Sequence, residues 1–198
     1  MGKDGGVKME IRLAKTAGFC FGVNRAVELT YGLLAEGHKV ATLGPLIHNP
    51  QAVEDMRRKG AQVVNTVQDV PVGCEVVIRS HGVPRSVYDE LEANGIPYHD
   101  ATCPFVQKIQ RIAAQAEKEG AVLLVAGDKT HPEVQGIVGH TRGEVFVFAD
   151  LAELKAWKGP SDPQKPLFAV AQTTFQVTKW KESSEFLKKA YTNARIFD

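Results

Sequence analysis

A spacing that occurs twice constrains this chain more than any single motif. Gly18-Phe-Cys20-Phe-Gly22 precedes a helical stretch, a strand pattern follows from Lys39 to Leu43, and Ile47-His48-Asn49-Pro50 comes next. Later, Asp100-Ala-Thr-Cys103-Pro precedes an amphipathic stretch, an apolar run and then Lys129-Thr-His131-Pro-Glu133. Cys20 to His48 and Cys103 to His131 are both 28 residues, with a valine three after each cysteine (Val23, Val106) and a glycine seventeen after (Gly37, Gly120). Such a repeat predicts two similar units, each presenting a thiol and an imidazole at the same edge. It predicts a site shared between them.

The periodicity fills in the units. Met9 to Ala14 alternates apolar and polar residues and reads as a strand. Val23, Ala26, Val27, Leu33 and Leu34 recur at helical spacing, with Gly37 as a stop. A helix is expected from Asn49-Pro50 to Lys59, short strands over Gln62–Asn65 and Glu75–Arg79, and a helix after Ser80-His81-Gly82-Val83-Pro84 that runs to Ala93. Beyond Cys103, Ile109, Ile112, Ala113 and Ala116 share one helix face, and Ala121–Ala126 reads as a strand covered on both sides. Strands Val145–Phe148 and Leu167–Ala171, a helix near Leu151–Trp157 and a last helix to about Tyr191 complete the pattern. Alternating strands and helices imply an α/β class with parallel sheets, in a first lobe over 1–101 and a second over 102–198.

Composition narrows the setting. A net charge of +1 supplies no field for nucleic acid or an anionic membrane. No apolar run approaches the ~18 residues of a spanning helix. Met1-Gly-Lys-Asp-Gly-Gly-Val lacks the apolar core of a signal peptide, and Gly6 stands where a myristoylation motif needs Ser or Thr. A cytoplasmic protein is expected. Three cysteines without a CxxC pair argue against a disulfide framework and leave packing, a reactive thiol or metal ligation.

Functional groups in parallel α/β sheets gather where strands end and helices begin. Cys20, His48, His81, Cys103, His131, Glu133 and Thr173 all fall at such an edge. A thiol there faces unpaired N–H groups and the positive end of a helix dipole, a setting that suits a thiolate. Buried packing cysteines are the plain alternative, and the matched spacing weighs against it. Arg25 comes one residue too early for the C-x5-R loop of a phosphatase. Structural zinc is disfavoured because the ligands form no short pairs, whereas thiolates on separate units suit an iron–sulfur cluster at their junction. Cys74, between Gly73 and a strand, reads as structural. His48 and His81 sit beside backbone donors and suit either a local hydrogen bond or a diphosphate. Glu133 is either a first-turn carboxylate favoured by the dipole or, away from bulk water, a proton donor. Thr173 supplies a hydroxyl at the next turn. His38, His99 and His140 show no partnering pattern and read as surface or structural residues.

Taken in order, Gly18-Phe-Cys20-x-Gly22-Val23, His48-Asn49, Ser80-His81-Gly82-Val83, Asp100-Ala-Thr-Cys103-Pro, His131-Pro-Glu133-Val-x-Gly136 and Gln172-Thr173-Thr174 closely resemble the 4-hydroxy-3-methylbut-2-enyl diphosphate reductase (LytB) family. The resemblance runs from about Met9 to Asp198. It implies a trefoil of three α/β lobes around a [4Fe-4S] cluster, with Cys20 and Cys103 as two of three thiolate ligands. It implies a diphosphate substrate bound by His48, His81, His131 and Thr173, and Glu133, His131 and Thr173 as the catalytic, proton-handling groups. The implied reaction is two-electron reductive dehydration to isopentenyl and dimethylallyl diphosphate in isoprenoid biosynthesis, with a ferredoxin or flavodoxin as electron donor. No third cysteine motif follows Thr173. The chain therefore reads as the first two lobes, ending about where a strand toward that cysteine would begin, with weak iron binding, no reductase activity alone, and self-association through an exposed face. The alternatives are a catalytically silent module that needs a partner chain, or a mononuclear zinc hydrolase using Cys20, Cys103 and His131.

Overall fold

Apolar runs of four or five residues, bounded by glycine turns, become the inner strands of two parallel sheets in the computed structural model, which describes residues 10–15 and 17–197. The first sheet is built from α1 (Phe21–Ala35), β1 (Val40–Leu43), α2 (Pro50–Arg58), β2 (Gln62–Val64), a 3-10 turn (Val67–Asp69), β3 (Glu75–Ile78), α3 (Arg85–Ala93) and β4 (Tyr98–Asp100). The second is built from α4 (Pro104–Lys118), β5 (Val122–Ala126), α5 (Pro132–Val138), β6 (Val145–Phe148), α6 (Leu151–Ala156), β7 (Leu167–Ala171), α7 (Val177–Ala190) and β8 (Ala194–Ile196). Strand orders are β2-β1-β3-β4 and β6-β5-β7-β8, so the second sheet repeats the topology of the first. Every pairing is parallel, with Ala41 opposite Val76 and Leu124 opposite Ala169 at the two centres.

The repeat in the sequence is thus a repeat in space. Helices α1 and α4 each span 15 residues and each follows a cysteine at its N-cap. Both are followed by a glycine in the left-handed region, Gly37 at φ +86° and Gly120 at φ +63°, a backbone that a side chain at either place would strain. Each sheet is covered on both faces. In β5, Leu123 and Val125 pack with Ile112, Val134 and Phe168 on one side, while Val122, Leu124 and Ala126 pack with Phe148, Leu154 and Leu187 on the other. Cys74 is buried among Ala41, Val76, Ile78 and Leu91, a packing residue as the sequence suggested.

The structure corrects the sequence reading in two places. Residues 10–14 form no strand, and Ile11 and Leu13 are 81% and 88% exposed; Met9 lies outside the described residues. Alternation alone does not make a strand where no neighbouring backbone accepts its hydrogen bonds. Tyr98–Asp100 is a strand, invisible in the sequence because it is short and polar and is held by its pairing with Val76–Ile78. Ala194–Ile196, where the sequence reading set the beginning of a strand, forms the fourth strand of the second sheet, the counterpart of Tyr98–Asp100 ahead of Cys103, with Phe197 N–H donating to Ala169 C=O at 3.0 Å. His38 and His99, read from the sequence as surface or structural residues, have a structural partner: the Glu75 carboxylate takes His38 Nδ1 and His99 Nε2, both at 2.6 Å. Glu75, the first residue of β3, thus holds one ring just ahead of β1 and one in the middle of β4.

Replacing Leu124, which is wholly buried, by alanine is expected to lower stability by about 2–5 kcal/mol in chemical denaturation. Val72→Ala, at a fully exposed position, is expected to stay within about 0.5 kcal/mol of the parent.

Candidate functional site

Parallel pairing sends the ends of β1, β3, β5 and β7 in one direction, and the loops that leave them carry the polar groups of interest. His48 lies in the turn after β1, just ahead of Asn49, whose Oδ1 caps α2 by accepting from Ala52 N–H at 3.0 Å. His81 follows β3 in a turn that needs Gly82 at φ +71°. His131 is itself the N-cap of α5, its Nδ1 accepting from Glu133 N–H at 3.1 Å. An imidazole that accepts at Nδ1 carries its neutral-state proton on Nε2, so the His131 ring presents an N–H donor at its far edge.

These three rings meet. Centroid separations are 4.9 Å for His48–His81, 5.3 Å for His81–His131 and 6.1 Å for His48–His131. One ring nitrogen from each lies within 4.8 Å of the others. The His48 ring is exposed and the other two are half-buried. Burial, reinforced by His48, His131 and Arg79 nearby, pushes the His81 ring down to about 4, so it is neutral at physiological pH.

Glu133 stands beside this group with 2% of its surface exposed. Its Oε1 accepts from Thr173 N–H at 2.6 Å and its Oε2 from the Thr173 hydroxyl at 2.8 Å. One residue at the end of β7 therefore satisfies both carboxylate oxygens, while Thr173 itself is exposed. Gln172 braces the facing loop: its Oε1 accepts from Asp128 N–H at 3.1 Å and its Nε2 donates to Thr174 Oγ1 at 3.0 Å. The sequence reading quoted Gln172 without giving it a role.

Both thiols sit at the starts of helices that touch. Cys20 caps α1 and is exposed; Cys103 caps α4 and is half-buried; both are free. Gly22, two residues beyond Cys20, lies so close that a Cβ there would fall 2.6 Å from Cys103 Sγ. Arg25 on α1 locks the junction by donating to the carbonyls of Thr102 at 3.1 Å and Asp100 at 3.2 Å. Its place in the sequence excluded one loop motif but did not reveal this clamp. Phe19, Phe21 and Phe105, beside the two cysteines, are 42%, 69% and 67% exposed. Between α4 and α7 an apolar groove of about 630 Å³ runs past Phe105, Ile109, Thr173, Phe175 and Phe197.

The residues present fit one edge of an iron–sulfur group: two free thiols at adjoining helix starts, that of Cys103 lying against the bare backbone of Gly22. A single zinc ion held by Cys20, Cys103 and His131 is not favoured. Among the described residues, the metal-spaced group is made of His48, His81 and His131 and includes neither cysteine.

Gly22→Ala is expected to lower stability by about 1–3 kcal/mol, because the added methyl meets Cys103. Gly32→Ala, later in the same helix with open space around it, is expected to raise stability by about 0.4–1 kcal/mol. Denaturation curves of the two variants check the contrast. For His81, NMR titration is expected to give a midpoint near 4. The unfolded ring takes its proton first, near 6.5, so the stability associated with neutral His81 is complete above that pH and is lost as pH falls toward 4. His81→Gln should flatten the stability profile across that window.

With this geometry in hand, comparison with known proteins gives a consistent answer. The LytB protein family model matches residues 11–198. A protein of Syntrophotalea carbinolica named 4-hydroxy-3-methylbut-2-enyl diphosphate reductase is 41% identical over 191 residues, 96% of this chain and 67% of that protein. A Thermoanaerobacter protein of the same name is 39% identical, over 91% of this chain and 62% of its own length. A solved structure described as (E)-4-hydroxy-3-methyl-but-2-enyl diphosphate reductase, the terminal enzyme of the non-mevalonate pathway, superposes with a TM-score of 0.79 at 35% identity, covering 94% of this chain and 66% of that one. The Plasmodium falciparum reductase structure shares the fold, with a TM-score of 0.83 at 24% identity over 92% of this chain and 57% of its own. The chain thus spans about two thirds or less of the length of these relatives. Over the length that it does span, the order and spacing of its motifs, its paired parallel sheets and its sequence agree, and the chain belongs to the LytB protein family.

Proposed function

We propose that this chain carries two lobes, 1–101 and 102–198, of a reductase that converts 4-hydroxy-3-methylbut-2-enyl diphosphate to isopentenyl and dimethylallyl diphosphate. The observation that carries the reading is the convergence of His48, His81 and His131 beside the Glu133–Thr173 pair, on the edge where two thiol-capped helices meet. The names of the relatives support the substrate and reaction.

In this reading the histidine group holds the diphosphate. The His131 Nε2–H points away from its capping bond and serves as a donor to a phosphate oxygen. His81, neutral by burial, contributes a ring N–H without the desolvation cost of a buried charge. Exposed His48 closes the group from the solvent side. Glu133 and Thr173 form the proton-handling pair. The carboxylate is held by two bonds from one residue, and the Thr173 hydroxyl links it outward toward the site.

Cys20 and Cys103 would hold a [4Fe-4S] cluster, which when bound supplies electrons and a Lewis-acidic iron. Two thiolates are fewer than the three that the family resemblance implies. We therefore expect the 198-residue chain to retain iron weakly and to lack reductase turnover by itself. A small electron-transfer protein such as a ferredoxin or flavodoxin is the reductant proposed for the complete enzyme. The groove between α4 and α7, with Phe105 and Val177 at 67% and 81% exposure, is large and apolar enough to drive self-association.

Calorimetry with inorganic pyrophosphate tests the binding role. Parent chain is expected to bind it at one site, and His48→Ala and His131→Ala are each expected to weaken binding by about tenfold, the worth of one or two charge-assisted hydrogen bonds. Equal affinity in all three proteins would remove the histidines from the binding role. Sedimentation over a concentration series tests the apolar face: Phe105→Ser combined with Val177→Ser should shift the chain toward monomer. A parent chain that stays monomeric at the highest concentration contradicts self-association.

A further inference from the structure

We propose that His48, His81 and His131 also form a binding site for a divalent transition metal of the zinc class. The three imidazoles come from three separate turns, after β1, after β3 and at the start of α5, and one nitrogen from each already lies within 4.8 Å of the others. Zinc–nitrogen bonds of about 2.0–2.1 Å in a tetrahedron bring ligand nitrogens to roughly 3.3 Å apart, so modest side-chain rotations complete the set. No carboxylate or thiol enters the group, and an all-imidazole set favours zinc, nickel, copper or cobalt over magnesium or calcium. Exposed His48 gives the ion a way in. Neither the His48 nor the His81 ring hydrogen-bonds to a described residue, so neither must give up a partner to coordinate. With three protein ligands, the fourth position remains for water, the arrangement of an open rather than a closed zinc site.

His131 supplies the diagnostic detail. Its Nδ1 accepts from Glu133 N–H, which leaves the neutral-state proton on Nε2. Coordination through Nε2 needs that lone pair, so the proton must move to Nδ1 and the capping bond to Glu133 N–H must break. A metal draws on the lone pairs of the rings, whereas a diphosphate draws on their N–H donors. The metal site therefore does not depend on the diphosphate reading, and the two ligands leave different marks on the amide of Glu133.

Cobalt(II) titration of the 198-residue chain carrying Cys20→Ser and Cys103→Ser tests the site without competition from the thiols. One cobalt per chain is expected, with the intense visible bands of tetrahedral coordination, and zinc should displace it. Adding His48→Ala or His131→Ala removes one of three ligands and should weaken cobalt binding by at least about 100-fold, since loss of a partner that only orients a ligand already costs about 10–100-fold. In ¹H–¹⁵N spectra, zinc should shift the Glu133 amide as its capping bond opens. Zinc-induced shifts of the three imidazoles in the unsubstituted chain give the same reading if the serine variants do not fold. Substoichiometric uptake, an affinity unchanged by the histidine substitutions, or imidazole and Glu133 resonances unmoved by zinc would each overturn the proposal.

Discussion

Cys103 Sγ lies against the bare backbone of Gly22, and that contact governs how the two sheets meet. It brings the start of α4 onto the start of α1 and leaves no room for a methyl group between them. Arg25 then spans the junction to two carbonyls just ahead of Cys103. A guanidinium that satisfies two carbonyl oxygens fixes orientation as well as distance. With the helix starts set, parallel pairing places every strand-exit loop on the same side, and the groups in those loops come together without further instruction.

A second set of close contacts ties the turn after β3 to α5. A Cβ on Gly139 would fall 2.4 Å from that of Pro84, Arg85 N–H donates to Gly139 C=O at 3.1 Å, and His140 Nε2 meets Val83 C=O at 3.1 Å. These fix the His81 turn relative to the helix that His131 caps. His140, which showed no pattern in the sequence, is thus an interface residue on the far side of the His81 turn. The bare Gly139 lets Pro84 approach closely, which helps His131 of the second sheet to meet His48 and His81 of the first.

Much of this was legible in the sequence, for physical reasons. The 28-residue spacing was visible because two similar helix–strand units present equivalent residues at the same edge. Strand Val122–Ala126 was visible because covering both faces demands an unbroken apolar run. Tyr98–Asp100 was not, because its stability comes from pairing with β3 rather than from its own residues. The bonds from His38 and His99 to Glu75 join residues 37 and 24 positions apart, and no local pattern announces them. Among the site residues, Glu133 and Thr173 stood out in the sequence by position, but the two bonds between them did not. Those follow from the register that sets β7 beside β5. The clamp made by Arg25 was illegible for the same reason.

The central claim is that two copies of one module direct Cys20 and Cys103 to a common place while Cys74 stays inside the first sheet. Treatment of the reduced, native chain with a short bifunctional thiol reagent, followed by peptide mass spectrometry, tests it most directly. The account predicts a bridge between the Cys20 and Cys103 peptides, with Cys74 modified only after denaturation. Separate single adducts on Cys20 and Cys103, or a native bridge that includes Cys74, would contradict it.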